Sequence, residues 1–158
     1  MSIRRWGHGH RTGFSLLEML IVLCVLGIVL AIVLPSYGRF ASNQRTLAAS
    51  HLLASDLRVA QQEAVTRRAE VSVTFSAADP ACSGHPASYA LGEPETVIKR
   101  VCLPPDVGWA PRQAHPVVFQ PEGSAEGDAS VIVQSARTGK RFAVTVAAGT
   151  GAVTDAAR

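Results

Sequence analysis

The stretch "GFSLLEMLIVLCVLGIVLAIVLP", residues 13–35, decides how the rest of the chain is read. From Phe14 to Leu34 only Ser15, Glu18 and Gly27 interrupt the apolar side chains, and Pro35 closes the run. A helix that crosses a bilayer needs roughly 20 mostly apolar residues, and this segment supplies them. A cleavable secretory signal has an apolar region of about 7–15 residues followed by a small-residue cleavage site. This run is longer, and "AIVLPSYG" at its end offers no such site. Arg4, Arg5 and Arg11 precede it. Basic residues favour the cytoplasmic side, so the N-terminus is expected to stay inside while the remainder crosses. The expectation is one transmembrane helix with its C-terminal side outward.

Glu18 is the anomaly in that helix. A charge at the centre of a span costs about 2.5–3.5 kcal/mol on insertion scales, and the cost falls steeply toward the interface. A carboxyl about one turn inside either reaches the headgroups, takes up a proton or has a partner. Its neighbours bear on the choice: Gly13 directly precedes Phe14, and Glu18 is the fifth residue counted from Phe14.

A short basic leader, a small residue, then F-S-L-L-E and an apolar helix closed by proline resemble the N-terminal segment of the type IV pilin and pseudopilin superfamily. The resemblance covers all of residues 13–35. It implies that a prepilin peptidase cuts between Gly13 and Phe14, and that the new Phe14 amine is N-methylated. It also implies a partner for Glu18, the free amine of the adjoining subunit's first residue. Pairing between subunits relieves the penalty of a lone charge in lipid, so the glutamate would set axial register during assembly. The expected organisation is a cleaved leader over 1–13, a transmembrane helix over 14–35, its continuation over 36–69 and a β-rich domain over 70–158.

Composition agrees with a small anchored domain. With 158 residues, 47% apolar and 17% charged, the chain has material for one compact unit beyond the anchor. The formal net charge is +3, yet the leader alone holds Arg4, Arg5 and Arg11. From Ser36 onward 12 Lys+Arg face 11 Asp+Glu, which argues against a broad electrostatic footprint for nucleic acid.

Past Pro35 the helical period persists. In "NQRTLAASHLLASDLRVAQQEAVTRR", residues 43–68, Leu53, Leu57, Ala60 and Ala64 fall on one face, with Arg58, Gln61, Gln62 and Arg67 elsewhere on the surface. Pro35 and Gly38 mark a place for a kink. Beyond Ala69 the period switches to two. "EVSVTF", "SVIVQ" and "RFAVTV" alternate, while "TVIKRVCL" and "PVVFQ" are noisier strand candidates. Loops are expected at "AADPACSGHPAS", "PPDVGWAPRQAHP" and "PEGSAEGD". One-sided strands on short connections predict an α+β fold: a long N-terminal helix packed on a C-terminal antiparallel β-domain of two small sheets.

The helix-to-strand stretch "LAASHLLASDLRVAQQEAVTRRAEVSVTF", with "VCLPPDVGW" and "TGKRFAVTVAAGTGAV", resembles the GspH/FimT family of H-type minor pseudopilins and related minor pilins. That resemblance implies a single-pass protein of the bacterial inner membrane, N-terminus cytoplasmic and C-terminal domain periplasmic. It implies a structural subunit of the tip or initiation complex of a type II secretion pseudopilus. Its partners would be other major and minor pseudopilins, the prepilin peptidase and inner-membrane lipid. The alternative within the family is a minor pilin of a type IV pilus that contacts DNA during uptake. For that role "SARTGKR" offers Arg137, Lys140 and Arg141 to phosphates. The plainer reading of the same residues is a solvated hairpin turn. The chain ends "TGAVTDAAR", where Arg158 is the one basic residue and Asp155 opposes it, so nucleic acid is not expected as a partner.

Cys24 lies in the span as a small apolar group. Cys82 and Cys102 fall in the exported part, where they either bridge or remain two free thiols. A bridge would close a loop of about 20 residues, worth on the order of 3 kcal/mol on the chain-entropy model. Zinc on Cys82, His85, Cys102 and His115 is not expected, because twelve residues of Pro-rich loop separate the second pair. His8 and His10 belong to the leader, and His51, His85 and His115 are scattered. No H-E-x-x-H, nucleophile elbow or complete glycine fingerprint is present, so neither catalytic residues nor a cofactor are expected.

Overall fold

The computed structural model describes residues 15–77, 79–94, 96–110 and 115–157. The leader and the Gly13–Phe14 junction lie outside the described residues. The described chain divides into two units between Tyr37 and Gly38, and one helix, α1 (Leu16–Arg67), contributes to both.

In the first unit the large apolar side chains from Leu16 to Leu34 are all exposed, from Val22 at 46% to Leu16 at 84%. Side chains of that kind need an apolar surrounding that the chain itself does not supply. Length and composition suffice for this helix to cross a membrane. The helix continues without interruption through Pro35 and Gly38. It stops at Arg68, whose φ of 53° is left-handed, and Ala69 N–H donates back to the Ala64 carbonyl at 3.3 Å. That six-to-one bond is a Schellman closure, here made without glycine.

In the second unit Leu53, Leu57, Ala60 and Ala64 are fully buried, as the four-three-four spacing predicts. The buried stripe also extends upstream through Ser42, Thr46 and Ser50, small polar residues of which Thr46 and Ser50 are satisfied within the helix and Ser42 by Ser135. Thr46 Oγ1, for example, donates to the Ser42 carbonyl at 2.9 Å.

Eight strands follow: β1 (Val71–Ser76), β2 (Ser88–Glu93), β3 (Thr96–Cys102), β4 (Val107–Trp109), β5 (Val117–Phe119), β6 (Ala129–Ser135), β7 (Arg141–Val146) and β8 (Val153–Ala157). They form two antiparallel sheets, β3-β2-β1-β5 and β4-β6-β7-β8. Period-two residues meet the helix stripe: Val71 and Val73 from the first sheet, Val131, Val133, Val144 and Val146 from the second. The sheets are interlaced along the chain. β4 leaves the first sheet to join the second, and β5 returns to pair with β1 through Val71↔Phe119.

Three strands, β2, β4 and β8, were not among those expected. β2 starts at the end of "AADPACSGHPAS" and is buried at four of six positions, so it shows no one-sided alternation. β4 lies inside "PPDVGWAPRQAHP" and is too short to show a period; Val107↔Ser135 and Trp109↔Val133 hold it. β8 lies within "TGAVTDAAR", where no alternation was read, zipped to β7 from Val146↔Val153 onward.

Candidate functional site

Glu18 sits in the first turn of α1, where its amide donates to the Ser15 carbonyl at 3.0 Å. Its side chain is exposed, and among the described residues no basic group pairs with it. Four N–H groups at a helix start lack intrahelical acceptors, so a carboxylate there is in a favourable field. The chain thus presents an acidic group at the start of an apolar helix whose large side chains are exposed.

Cys82 and Cys102 form a disulfide with Cα atoms 5.6 Å apart. It ties the 3-10 turn Pro80–Cys82 to the end of β3, across β2. Asp79 caps that turn through the Ala81 amide at 2.9 Å and receives Arg100 Nε at 3.2 Å. With both sulfurs bonded and His85 Nδ1 donating to the Leu103 carbonyl, three of the four residues weighed for zinc are otherwise engaged. Among the described residues no group of three or more His, Cys, Asp or Glu is placed to hold a metal. Cys24 is a free, exposed thiol on the apolar helix.

Arg137, Lys140 and Arg141 lie in and beside the β6–β7 turn, which folds on Gly139 at φ 70°. All three are exposed. The turn is fastened to α1: Thr138 Oγ1 donates to Asn43 Oδ1 at 2.6 Å, and the Ser135 and Ser42 hydroxyls share a hydrogen bond of 2.9 Å. It is therefore a hairpin turn with a fixed seat.

Two polar centres escaped the sequence reading. Asp56, on the buried stripe, accepts from Tyr89 Oη at 2.7 Å and from Lys99 Nζ at 2.6 Å. Burial first, and then the Asp56 bond, raise the Tyr89 pKa strongly above that of a free phenol. Trp109, from the second sheet, donates Nε1 to the carbonyls of Ser76 and Ser88 at 3.1 and 3.3 Å. Its ring meets Phe75 edge-on, centroids 5.1 Å apart, so one tryptophan joins the two sheets. Two helix residues read as plain surface also bind loops and strands. Gln61 Nε2 donates to the Gly123 and Thr150 carbonyls, and Arg58 to the Val153 carbonyl.

The sequence profile of the family described as type II transport protein GspH matches residues 49–150, more than half of the chain. The profile of the prokaryotic N-terminal methylation motif matches residues 9–34. Two crystal forms of the type IV minor pilin FimU of Pseudomonas aeruginosa (strain PAO1) share the fold at 13% identity. One superposes with a TM-score of 0.55, covering 73% of this chain and 90% of that one. The other gives 0.53, with 70% and 91% covered. No curated protein matches the chain in sequence. The α+β architecture, one long helix followed by two small antiparallel sheets, is shared with FimU.

Proposed function

The chain belongs to the family of the type II transport protein GspH, and from that premise we propose that it is a minor pseudopilin of a type II secretion system. The observation that carries this reading is a GspH-type domain borne on the same helix as a methylation-motif span. The role is structural: joining the tip or initiation complex of the pseudopilus beside other pseudopilins, with no reaction of its own.

Maturation follows from the motif. A prepilin peptidase cuts between Gly13 and Phe14, the Phe14 amine is methylated, and the span stays in the inner membrane with the β-domain in the periplasm. Glu18, exposed and without a basic partner among the described residues, accepts the amine of a neighbouring subunit. Mass spectrometry of the mature protein is expected to find a methylated Phe14 terminus. An intact Met1 terminus in cells with active peptidase would remove the assignment.

A second reading is a minor pilin of a type IV pilus, favoured by the likeness to FimU. Deleting the gene separates the two. Loss of enzyme export with intact pilus-driven motility supports secretion, and the reverse pattern supports the pilus.

A further inference from the structure

The β6–β7 turn carries three cations that form no ion pair with a carboxylate among the described residues. Among the described residues the ion pairs use Arg45, His51, Arg67, Lys99 and Arg100, and none uses Arg137, Lys140 or Arg141. The carboxylate beside the turn, Asp106, accepts Arg45 at 3.5 Å, and its own carbonyl accepts the Ala136 amide. Lys140 lies over the Phe142 ring at 5.4 Å with its ammonium exposed.

The place of the turn along α1 is also fixed. Besides the bonds to Ser42 and Asn43, the Arg137 guanidinium lies against Gly38, 3.8 Å from the point a β-carbon would occupy. Gly38 is four residues beyond Leu34, the last apolar residue of the run. Covalent connectivity alone keeps it within about 14 Å of that residue, however the two units are arranged. The hydrocarbon core is about 30 Å thick and the whole bilayer about 40–45 Å, so headgroups occupy the layer just past a span's end. Arg39 is exposed at this level without a carboxylate partner among the described residues, and Phe40 is exposed beside it. Aromatic and basic residues together are the usual anchors of that layer.

We propose that Arg137, Lys140 and Arg141 form a headgroup clamp that seats the β-domain on anionic phospholipid while the subunit is still in the membrane. The inference rests on the reading of residues 14–35 as a span. Arginine forks and a lysine ammonium match phosphodiester oxygens, and Gly139 lets the turn present them together. DNA carries the same phosphates but must come from solution, where three contacts give roughly 10⁻⁴ M or weaker affinity. Lipid is already tethered, at an effective concentration on the order of millimolar or higher. The same three contacts therefore suffice for lipid and not for DNA. Each basic residue near an anionic surface favours the docked state roughly fivefold, so three give roughly a hundredfold.

The test uses the full chain with Cys24→Ala and a nitroxide at Ala136→Cys, reconstituted in nanodiscs. One set holds zwitterionic phosphatidylcholine, the other adds about 30 mol% phosphatidylglycerol. Collisional relaxation reports whether the label meets lipid-dissolved oxygen or an aqueous nickel complex. The expected result is a label shielded from nickel in anionic discs and exposed in zwitterionic ones. Raising salt, or the triple change Arg137→Gln, Lys140→Gln, Arg141→Gln, should lower the docked-to-free ratio, the triple change by roughly a hundredfold. Salt acts on the unaltered turn, so the comparison does not depend on how the variant folds. A label equally aqueous in both disc types overturns the clamp while leaving the span intact. A chain that fails to float with vesicles overturns the span and the clamp together. Micromolar binding of a short DNA duplex at about 0.15 M salt, lost in the triple variant, would assign the turn to nucleic acid instead.

Discussion

Asp56 is the one charged side chain among the buried described residues, and its two partners come from strands far along the chain. Lys99 is half exposed, so losing the ion pair costs it little. The Tyr89 hydroxyl is buried, and stranding it is the larger penalty. Asp56→Ala is therefore expected to destabilise the protein by about 2 kcal/mol, and Tyr89→Phe by about 1 kcal/mol, since Asp56 then keeps Lys99. Thermal unfolding of the detergent-solubilised chain checks the order; an equal cost would mean the hydroxyl is not the stranded group. The raised Tyr89 pKa has its own signature. Above about pH 10 the unfolded chain releases the phenol proton while the folded chain keeps it, so stability is full below that pH and declines above it. Comparing wild type with Tyr89→Phe across the alkaline range isolates this contribution; identical declines would exclude it. Part of this was legible. Asp56 stands three residues after Leu53 and four before Ala60, squarely on the stripe. A carboxylate there reads as an interruption because its partners are unknown until the sheet is built.

β3 is held differently from the other strands. All its side chains except Val101 are exposed, so apolar burial contributes little, and its pairing with β2 and the Cys82–Cys102 bond hold it. Replacing both cysteines with serine should cost about 3 kcal/mol, and amide exchange should quicken over Thr96–Cys102 before it quickens in β6 or β7. Uniform quickening would show that the bridge steadies the whole domain instead of one edge. Gly92 guards the same edge: a β-carbon there would run into the Thr96 carbonyl and the Val97 backbone at a register shift. Gly92→Ala is expected to lower the unfolding midpoint and loosen β3, a loss of about 1–3 kcal/mol. β1 and β6 were legible because one face is buried in the core and the other is more open, and β7 because its sequence alternates even though Phe142, Ala143 and Val144 are all buried. β2 hides between two strands with small residues, β4 is three residues long, and β8 depends on β7 and on Arg58 and His51 of the helix. Such strands are specified by partners, which no local window contains.

At the scale of the molecule, the exposed first half of α1 and the closed second unit separate assembly from stability. Glu18→Ala removes a carboxylate from the apolar first half of α1, and alanine is cheaper in lipid, so membrane levels should be normal. Co-purification with the other minor subunits should fall; equal recovery of mutant and wild type would take Glu18 out of assembly. The apolar run and its carboxylate were legible from residues 13–35 alone, because both are properties of one short window. The identity of the neighbours was not, since a fibre's contacts belong to surfaces of several chains. The interlacing of the two sheets carries a further consequence, for descent and for engineering. β4 and β5 each belong to the sheet opposite the one their sequence neighbours join, so no single crossover separates one whole sheet from the other. A junction between residues 103 and 128 would hand each hybrid at least one sheet of mixed parentage, and one between β4 and β5 would mix both. Gene exchange among relatives should thus preserve this domain as one inherited block, with viable breakpoints confined to α1 upstream of Ser42, and grafts of a single sheet should fail where grafts of the entire block succeed.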